Sequence, residues 1–217
     1  MEEVKLDIGN EFSRGWNLFN PNIGVLVLAG LIGGVLSLVT CGLLGGPMTA
    51  GLLLIVRRLQ KNDPIKPQAG DIFKGFDYFL QSFLFFFLFA LASFVIGVIL
   101  NLVPVLGQLA SFAVSLFSGA LVMWGIMFVV YEKMTAIDAF KKLIAGISSG
   151  AFIMPLVFGL LASLLSSAGL IACGVGVLFT YPLACCCLAS AYETVCEGRS
   201  VPCEPEVIPP PQDGTQP

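Results

Sequence analysis

Histidine is absent from this chain of 217 residues, and charged residues make up only 12% of it. Histidine is the commonest general base and a frequent ligand of zinc and haem iron, so its absence argues against most catalytic and metal centres. Soluble domains carry about 25% charged residues, so a water-soluble globule is not expected. The net charge of −3 and the lack of a basic stripe argue against a nucleic-acid partner.

Charge is also missing from three long stretches of 42, 54 and 50 residues. All 25 charged residues fall into the four groups that flank these stretches: Glu2–Arg14, Arg57–Asp77, Glu132–Lys142 and Glu193–Asp213. Proton relays and most ion pathways place ionisable side chains inside the membrane. Their absence argues against a pump, a proton-coupled carrier or an intramembrane catalytic pair, and leaves open a pore lined by hydroxyls or carbonyls.

The longest uncharged stretch, Tyr78–Tyr131, is the clearest structural signal. A bilayer core is about 30 Å thick and is crossed by roughly 20 helical residues, so this stretch is long enough for two crossings and a turn. Pro104 and Gly107 favour a turn in its middle. We therefore predict an antiparallel transmembrane hairpin over Phe79–Leu100 and Leu109–Val130.

The other two stretches have the same property. Crossing once would require helices of about 63 to 81 Å, longer than any bilayer core is thick. We therefore predict an all-α integral membrane protein with six transmembrane helices, arranged as hairpins over residues 23–56, 79–130 and 151–192. These hairpins form one domain, residues 1–197. All Lys and Arg residues then lie on one side, which the positive-inside tendency places in the cytoplasm with both termini, in a bacterial inner membrane.

Two segments leave alternatives open. The second arm of the first hairpin, Leu43–Val56, is short; Arg57 and Arg58 can lengthen it by snorkelling, or it can form a re-entrant or shallow hairpin. Residues 198–217 are proline-rich and polar, and we expect a disordered cytoplasmic tail. A docking site for a proline-reading partner is the alternative for this tail.

A sequence pattern recurs before the hairpins. Arg14-Gly-Trp-Asn-Leu-Phe19 and Lys74-Gly-Phe-Asp-Tyr-Phe79 share a base, a glycine, an aromatic residue and a final Phe, and Ala139–Lys142 is a weaker relative. At an offset of 135 residues, Gly34, Leu43, Pro47 and Pro67 match Gly169, Leu178, Pro182 and Pro202. We predict a repeated module, a short interfacial entry helix followed by a hairpin. The repeats would be parallel, unlike the inverted repeats of many transporters.

The motif Gly15-Trp-Asn-Leu-Phe19 and the closing motif Gly174-Val-Gly-Val-Leu-Phe-Thr-Tyr-Pro-Leu-Ala184, ending Ala189-Ser-Ala-Tyr192, carry a family resemblance. Over Phe12–Tyr192 the chain resembles a broad group of bacterial polytopic membrane proteins of unknown function. That group is related to the membrane domain preceding some glycerophosphodiester phosphodiesterases. The resemblance implies a six-helix membrane fold and no defined activity, and these residues include no phosphodiesterase domain.

Two sets of residues are candidates for structural roles. Aromatic residues near the predicted inner interface are expected to anchor the hairpins in the membrane: Trp16, Phe19, Phe76, Tyr78, Tyr131 and Tyr192. Small residues at spacings of about four are expected to let helices pack closely: Gly30, Gly34, Ser111, Ser115, Gly119, Gly159, Ser163 and Ser167. Packing within one chain is the main expectation, and contact between subunits is the alternative.

The seven cysteines suggest no cofactor or metal site. Cys41 and Cys173 fall in predicted turns, where they could form a disulfide or serve as small apolar residues. Cys185, Cys186 and Cys187 are expected to behave as small hydrophobic residues in the last span, with lipidation of these or of Cys196 as the alternative. Cys196 and Cys203 alone are too few for zinc.

These observations favour a non-enzymatic membrane protein that acts as a scaffold, an accessory subunit or a membrane organiser. Its expected partners are the lipid bilayer and another membrane protein or a second copy of the chain. The alternative is a channel or carrier for a weakly polar or lipidic solute. A polar tunnel lined by Ser37, Ser93, Ser111, Ser115, Ser163 and Ser166 would favour transport, whereas a filled centre would favour a scaffold.

Overall fold

A computed structural model describes residues 7–64, 66–100, 102, 106–148, 153–171 and 176–197, and every regular element in these ranges is helical. The all-α prediction is therefore confirmed. The α-helices are α1 (Ile8–Phe19), α2 (Ile23–Val39), α3 (Gly45–Gln60), α4 (Phe79–Leu100), α5 (Leu106–Tyr131), α6 (Ala136–Ser148), α7 (Ile153–Ile171) and α8 (Val177–Glu197). Residues Asn20–Asn22 and Ala69–Tyr78 form 3-10 segments that lead into α2 and α4. The predicted tail, Cys173 and Cys203 lie outside the described residues.

Three helical runs of the described chain are long and apolar enough to cross a membrane: Ile8–Val39, Ala69–Leu100 and Gly107–Tyr131. A shorter apolar run covers Pro155–Ser167 in α7. The structure thus has the character of a membrane protein. The six crossings predicted from the sequence go beyond these runs and are taken up as a proposal below.

The long helices pack as antiparallel neighbours. Within pairs, α2 contacts α3, α4 contacts α5 and α7 contacts α8; between pairs, α3 contacts α4, α5 contacts α7 and α8 contacts α2. The Oγ of Ser93 in α4 donates to the Oγ of Ser118 in α5 at 2.7 Å, as the antiparallel register requires. The six helices therefore form a closed ring. We call the end that carries Arg57 and Glu132 the charged end, and the opposite end the turn end.

The second helix of each pair forms the core of the ring. Helices α3, α5 and α8 contact one another, and Ile55, Met127 and Leu188 from these three helices are fully buried. In contrast, α4 buries only Ser82 and Phe85 and exposes apolar side chains such as Leu80 and Phe94. A helix that is apolar on all sides yet largely unburied suits a lipid environment.

Ala69–Tyr78 packs on α3 and α6 packs on α5, in each case the second helix of the pair that comes before in the chain. The first segment, α1, packs on α8, the second helix of the last pair, which completes the cycle. Glycine makes two of these contacts close. A Cβ added at Gly15 would lie 2.5 Å from the Sγ of Cys187, and one added at Gly75 would overlap the carbonyl oxygen of Pro47. The glycines thus serve close helix contact, a reason for their presence that the sequence pattern alone did not indicate.

Candidate functional site

The charged end of the ring is closed by an interlocked set of side chains from α3, α5, α6 and α8, together with Glu132 just after α5. Arg57 Nη1 donates to the carbonyl oxygen of Tyr131 at 3.0 Å, and its guanidinium lies 4.7 Å from the centre of the Tyr131 ring. The rings of Tyr131 and Tyr192 meet edge to face at 5.1 Å. The Tyr192 hydroxyl donates to Glu132 at 2.8 Å, and Lys142 forms an ion pair with the same carboxylate.

The layer next to this closure, on its turn-end side, is also filled. Trp124 is 0% exposed, and its Nε1 donates to the carbonyl oxygen of Pro155 at 2.9 Å. Gly159 makes room for this indole, because a Cβ there would lie 2.8 Å from Nε1. Gly125 does the same for the ring of Phe85, which a Cβ would overlap. Bulky side chains set against glycines therefore fill this half of the ring.

Toward the turn end the described residues line two cavities, each of about 250 Å³. The first, the α2-side cavity, lies between α2, α3 and α8 and includes Gly34, Ser37 and Met48. The second, the α5-side cavity, lies between α5 and α7 and includes Ser115, Gly119, Ser163, Ser166 and Ser167. Most of the lining of both cavities is apolar.

Thr49 and Tyr181 stand between the two cavities and, with Phe86, line both. Their hydroxyl oxygens are 2.5 Å apart. The Thr49 hydroxyl donates to the carbonyl oxygen of Gly45 at 2.7 Å. A hydroxyl has a single proton, so Tyr181 is the donor in the pair. This hydrogen bond ties α3 to α8 at the partition between the cavities.

The serines of the α5-side cavity differ in their hydrogen bonding. Ser166 donates to the carbonyl oxygen of Ala162 at 2.9 Å, and Ser167 donates to that of Ser163 at 2.8 Å, so both are satisfied within α7. Ser163 is only 7% exposed, and its Oγ has no hydrogen-bond partner among the described residues. The Ser163 oxygen has almost no accessible surface, so it is enclosed by the protein although the residue borders the cavity.

The serines expected to mark a tunnel divide between different places. Ser37 lines the α2-side cavity, whereas Ser115, Ser163 and Ser166 line the α5-side cavity. Ser93 is bonded to Ser118, and the buried Oγ of Ser111 lacks a partner in the described part of the chain. The geometry is thus that of cavities on the turn-end side of a filled layer.

The predicted interface anchors fall into two groups. Trp16 and Phe76 are 46% and 39% exposed, and Tyr78 is half-buried, so these rings can reach lipid. Phe19, Tyr131 and Tyr192 are buried within the protein, contrary to the expectation of interfacial anchoring. Both tyrosines have partners inside the protein: the Tyr192 hydroxyl donates to Glu132, and the Tyr131 ring packs against the guanidinium of Arg57.

The predicted small packing residues also divide. An added Cβ would meet Pro182 at Gly30, Ser163 at Gly119 and Trp124 at Gly159, so these three lie at helix contacts. Around Gly34 the described residues leave open space within 4 Å, and this glycine borders the α2-side cavity. Ser115 is exposed, and Ser163 and Ser167 border the α5-side cavity. Ser111 is half-buried.

Two acidic residues that the sequence analysis did not single out connect the entry segments to the ring. Glu11 is 3% exposed and accepts hydrogen bonds from Ser190 at 2.6 Å and Thr194 at 2.7 Å, which joins α1 to α8. Asp71 accepts from Arg58 at 2.9 Å, which joins Ala69–Tyr78 to α3. Each acid lies four residues before the contact glycine, and this shared spacing is the signal in the sequence that could have revealed the role.

The Asp71 carboxylate also pairs with Lys74 at 2.9 Å and accepts from the backbone N–H of Gln68 at 3.0 Å. The hydrogen bond from Lys74, followed by that from Gln68, lowers the pKa of Asp71 below its ordinary value. The pKa of Arg58 is raised, chiefly by its hydrogen bond to Asp63. Both shifts stabilise the charged forms, as expected for an ion-paired surface cluster.

Comparisons of the chain with protein-family models, curated proteins and solved structures find no match. The family resemblance stays a prediction. The functional argument consequently depends on the geometry alone: a filled charged end, two cavities toward the turn end, and apolar outer helices. The buried Cys185, Cys186 and Cys187 fit this picture as packing residues, since Cys187 lies against Gly15.

Proposed function

We propose that this is a non-enzymatic integral membrane protein that acts as a scaffold or accessory subunit for another membrane protein. The observation that carries the proposal is the filled charged half of the ring, where Arg57, Tyr131 and Tyr192 close the end and Trp124 fills the next layer. A rigid, closed centre inside apolar outer helices suits a role in assembly better than a role in conduction.

The proposed placement has three hairpins, six crossings and both termini in the cytoplasm of a bacterial cell. The antiparallel pairing supports it, because the charges of α3 and α6 and those of Glu132 and Lys133, just after α5, then gather at one end. Helices α3 and α8 can be less apolar than an isolated span, because many of their residues are buried against other helices and do not face lipid. Two observations support a parallel threefold repeat. The segments α1, Ala69–Tyr78 and α6 each pack on the second helix of a hairpin. The first two of these segments also share the order acid, base, glycine: Glu11, Arg14, Gly15 and Asp71, Lys74, Gly75.

A stripe of phenylalanines provides a surface for the partner. The rings of neighbouring members of the stripe are stacked at 5.5 to 6.3 Å along one face of the Ala69–Leu100 run: Phe73, Phe76, Phe79, Phe83 and Phe87. All are exposed or half-buried. Stacked rings with this exposure are a feature that a partner helix can recognise by shape, whereas lipid chains need only an apolar surface.

The test is affinity capture from membranes in mild detergent, comparing the wild type with the double variant Phe83→Leu, Phe87→Leu. The matched control is Leu84→Val, Leu88→Val on the neighbouring exposed face. We expect a specific complex in the wild type and the control, and its loss in the phenylalanine variant. A complex of identical size and composition in all three proteins would contradict the stripe as the partner surface. A self-associated chain would identify a second copy as the partner, and a lone monomer throughout would contradict the scaffold role.

The α5-side cavity favours one second candidate, a carrier for a weakly polar or lipidic solute. Transport would require a second state in which the Arg57–Tyr131 contact opens, because this contact closes the charged end. Solute movement across vesicles containing the purified protein would support the carrier, particularly if Arg57→Gln changes the rate. A vesicle with unaltered permeability would favour the scaffold.

A further inference from the structure

The α2-side cavity lies where α2 and α8 separate. Nearer the charged end the two helices touch, because a Cβ added at Gly30 would lie 3.0 Å from Cγ of Pro182. Around Gly34, one turn further along α2, the described residues leave open space within 4 Å. Leu38, a further turn along the same helix face, is 80% exposed. The seam between α2 and α8 is therefore closed at Gly30 and open toward the turn end.

The lining of this cavity is poor in polar groups. Among its described lining residues only Ser37, Thr49 and Tyr181 carry a side-chain hydroxyl, and none is charged. The Thr49 and Tyr181 hydroxyls are bonded to each other, and Thr49 also donates to the carbonyl oxygen of Gly45. A buried water needs two to four polar partners, which the glycines and apolar side chains of the remaining lining do not provide. An apolar occupant therefore matches most of the cavity better than water does.

The occupant has to be narrower than a helix. A cavity of about 250 Å³ has the volume of a cube with edges of about 6 Å, whereas a helix with its side chains is about 10–12 Å across. A partner helix packed on small residues would also need Gly30 and Gly34 free together, and Pro182 of the same chain already covers Gly30. A flexible hydrocarbon chain fits where a helix does not.

The position of the cavity agrees with the hydrocarbon region of one leaflet. From Ser37 to Gly30 the cavity follows α2 for roughly 10 Å at the helical rise, and half of a bilayer core is about 15 Å thick. Helix α2 and the lining parts of α3 and α8 contain no Lys or Arg that could hold the carboxylate of a free fatty acid. An esterified chain needs no such cation, because its headgroup stays at the membrane surface.

We infer that the α2-side cavity binds one acyl chain of a phospholipid from the turn-end leaflet, inserted between α2 and α8 beside Gly34. Filling the cavity gains dispersion contacts that an empty space forgoes. The inference uses the membrane placement proposed above but not the scaffold role. It gives Gly34 a purpose other than close helix contact, since a large side chain there would take the place of the acyl chain.

The experiment compares two variants that make the same change on the same helix. Gly34→Leu places a side chain in the cavity, whereas the matched control Gly24→Leu places one where the described residues also leave open space but outside the cavity. The full chain is reconstituted in nanodiscs of dioleoylphosphatidylcholine and extracted into mild detergent. Native mass spectrometry then counts the phospholipids that stay bound, and thermal melts with and without added phospholipid check folding.

We expect one retained phospholipid in the wild type and in Gly24→Leu, and its loss in Gly34→Leu. Added phospholipid should raise the melting midpoint of the wild type and of the control, because a ligand that binds only the folded state stabilises it. The midpoint of Gly34→Leu should not respond.

A photoactivatable phosphatidylcholine with a diazirine in one acyl chain locates the bound chain in the wild type. Val177 and Leu178 are half-buried on the α8 wall of the cavity, whereas Leu80 and Phe94 of α4 are exposed and report surrounding lipid. After a detergent wash and irradiation, we expect label at Val177 and Leu178 but not at Leu80 and Phe94.

Equal phospholipid retention by folded Gly34→Leu and Gly24→Leu proteins would overturn the inference, as would a wild type that retains none or holds a free fatty acid instead. If Gly34→Leu fails to fold, the wild-type labelling still decides, because equal loss of label from α8 and α4 on washing would overturn it. Such a failure in a protein whose topology is as proposed refutes the lipid site alone. An incorrect topology would instead refute the placement on which the proposed function also depends.

Discussion

Gly15 of α1 lies directly against the backbone of Cys187 in α8: a Cβ at this glycine would be 2.6 Å from the Cα of Cys187 and 2.8 Å from its backbone nitrogen. Side chains can rotate away from such an intrusion, but a helix backbone has to move as a whole. Gly75 has the same relation to α3, where the obstacles are Pro47 and Gly51. These two contacts hold the entry segments against the ring.

The first prediction concerns these glycines. Gly15→Ala and Gly75→Ala should each lower stability in detergent by about 1–3 kcal/mol, the usual cost of overpacking, and valine should be worse than alanine. Gly24→Ala is the matched control, because the described structure leaves open space around its Cβ position. It should be neutral or stabilising, since alanine favours helix over glycine. Equal thermal midpoints for all three alanine variants would refute the close contacts.

The second prediction concerns the exposed rings that follow these glycines. If Trp16 and Phe76 anchor equivalent modules in the membrane interface, alanine at either site should lower stability in detergent, whereas tyrosine should be tolerated. The comparison of melting midpoints tests the repeat itself. A costly Trp16→Ala beside a silent Phe76→Ala would show that the two positions are not equivalent.

The third prediction concerns topology. In a cysteine-free background, single cysteines at Lys61, Lys141 and Gln212 should be shielded from an impermeant thiol reagent in intact cells, because they lie on the proposed cytoplasmic side. A cysteine at Gln108, next to the turn before α5, should react. Permeabilised cells provide the control, in which all four should be labelled. Reaction of the Lys61 site in intact cells would exclude the six-crossing arrangement.

The fourth prediction concerns pH. The pKa of Asp71 is lowered in the folded protein, so its ionised form adds stability at pH values above the unfolded pKa of about 3.9. This contribution is lost as the pH falls from there through the folded pKa. Asp71→Asn should therefore be less stable than the wild type at neutral pH, and the difference should shrink toward pH 3. Melts across this range, with Asp138→Asn as the control, measure the effect. A difference that does not vary with pH would contradict the role assigned to the carboxylate.

The class of the protein and many of its helices follow from the sequence alone. Long uncharged stretches cannot be folded in water, and a helix is the form in which they satisfy their own backbone hydrogen bonds in an apolar medium. The first predicted hairpin begins at residue 23, where α2 begins, and the predicted arm Phe79–Leu100 is α4. These features depend on local composition and on breakers such as Pro104, so they need no tertiary information.

Only the tertiary structure decided what each residue does within that frame. The sequence pattern cannot distinguish an aromatic ring in lipid from one in the protein interior, and so Tyr131 and Tyr192 were expected at the interface although they close the charged end. It likewise cannot show that the Ser166 hydroxyl is bonded within its own helix, whereas the buried Ser163 hydroxyl has no partner in the described chain. Both distinctions depend on which helix lies opposite. That neighbour is set by packing between segments far apart in the chain, as in the contact of Gly15 with Cys187.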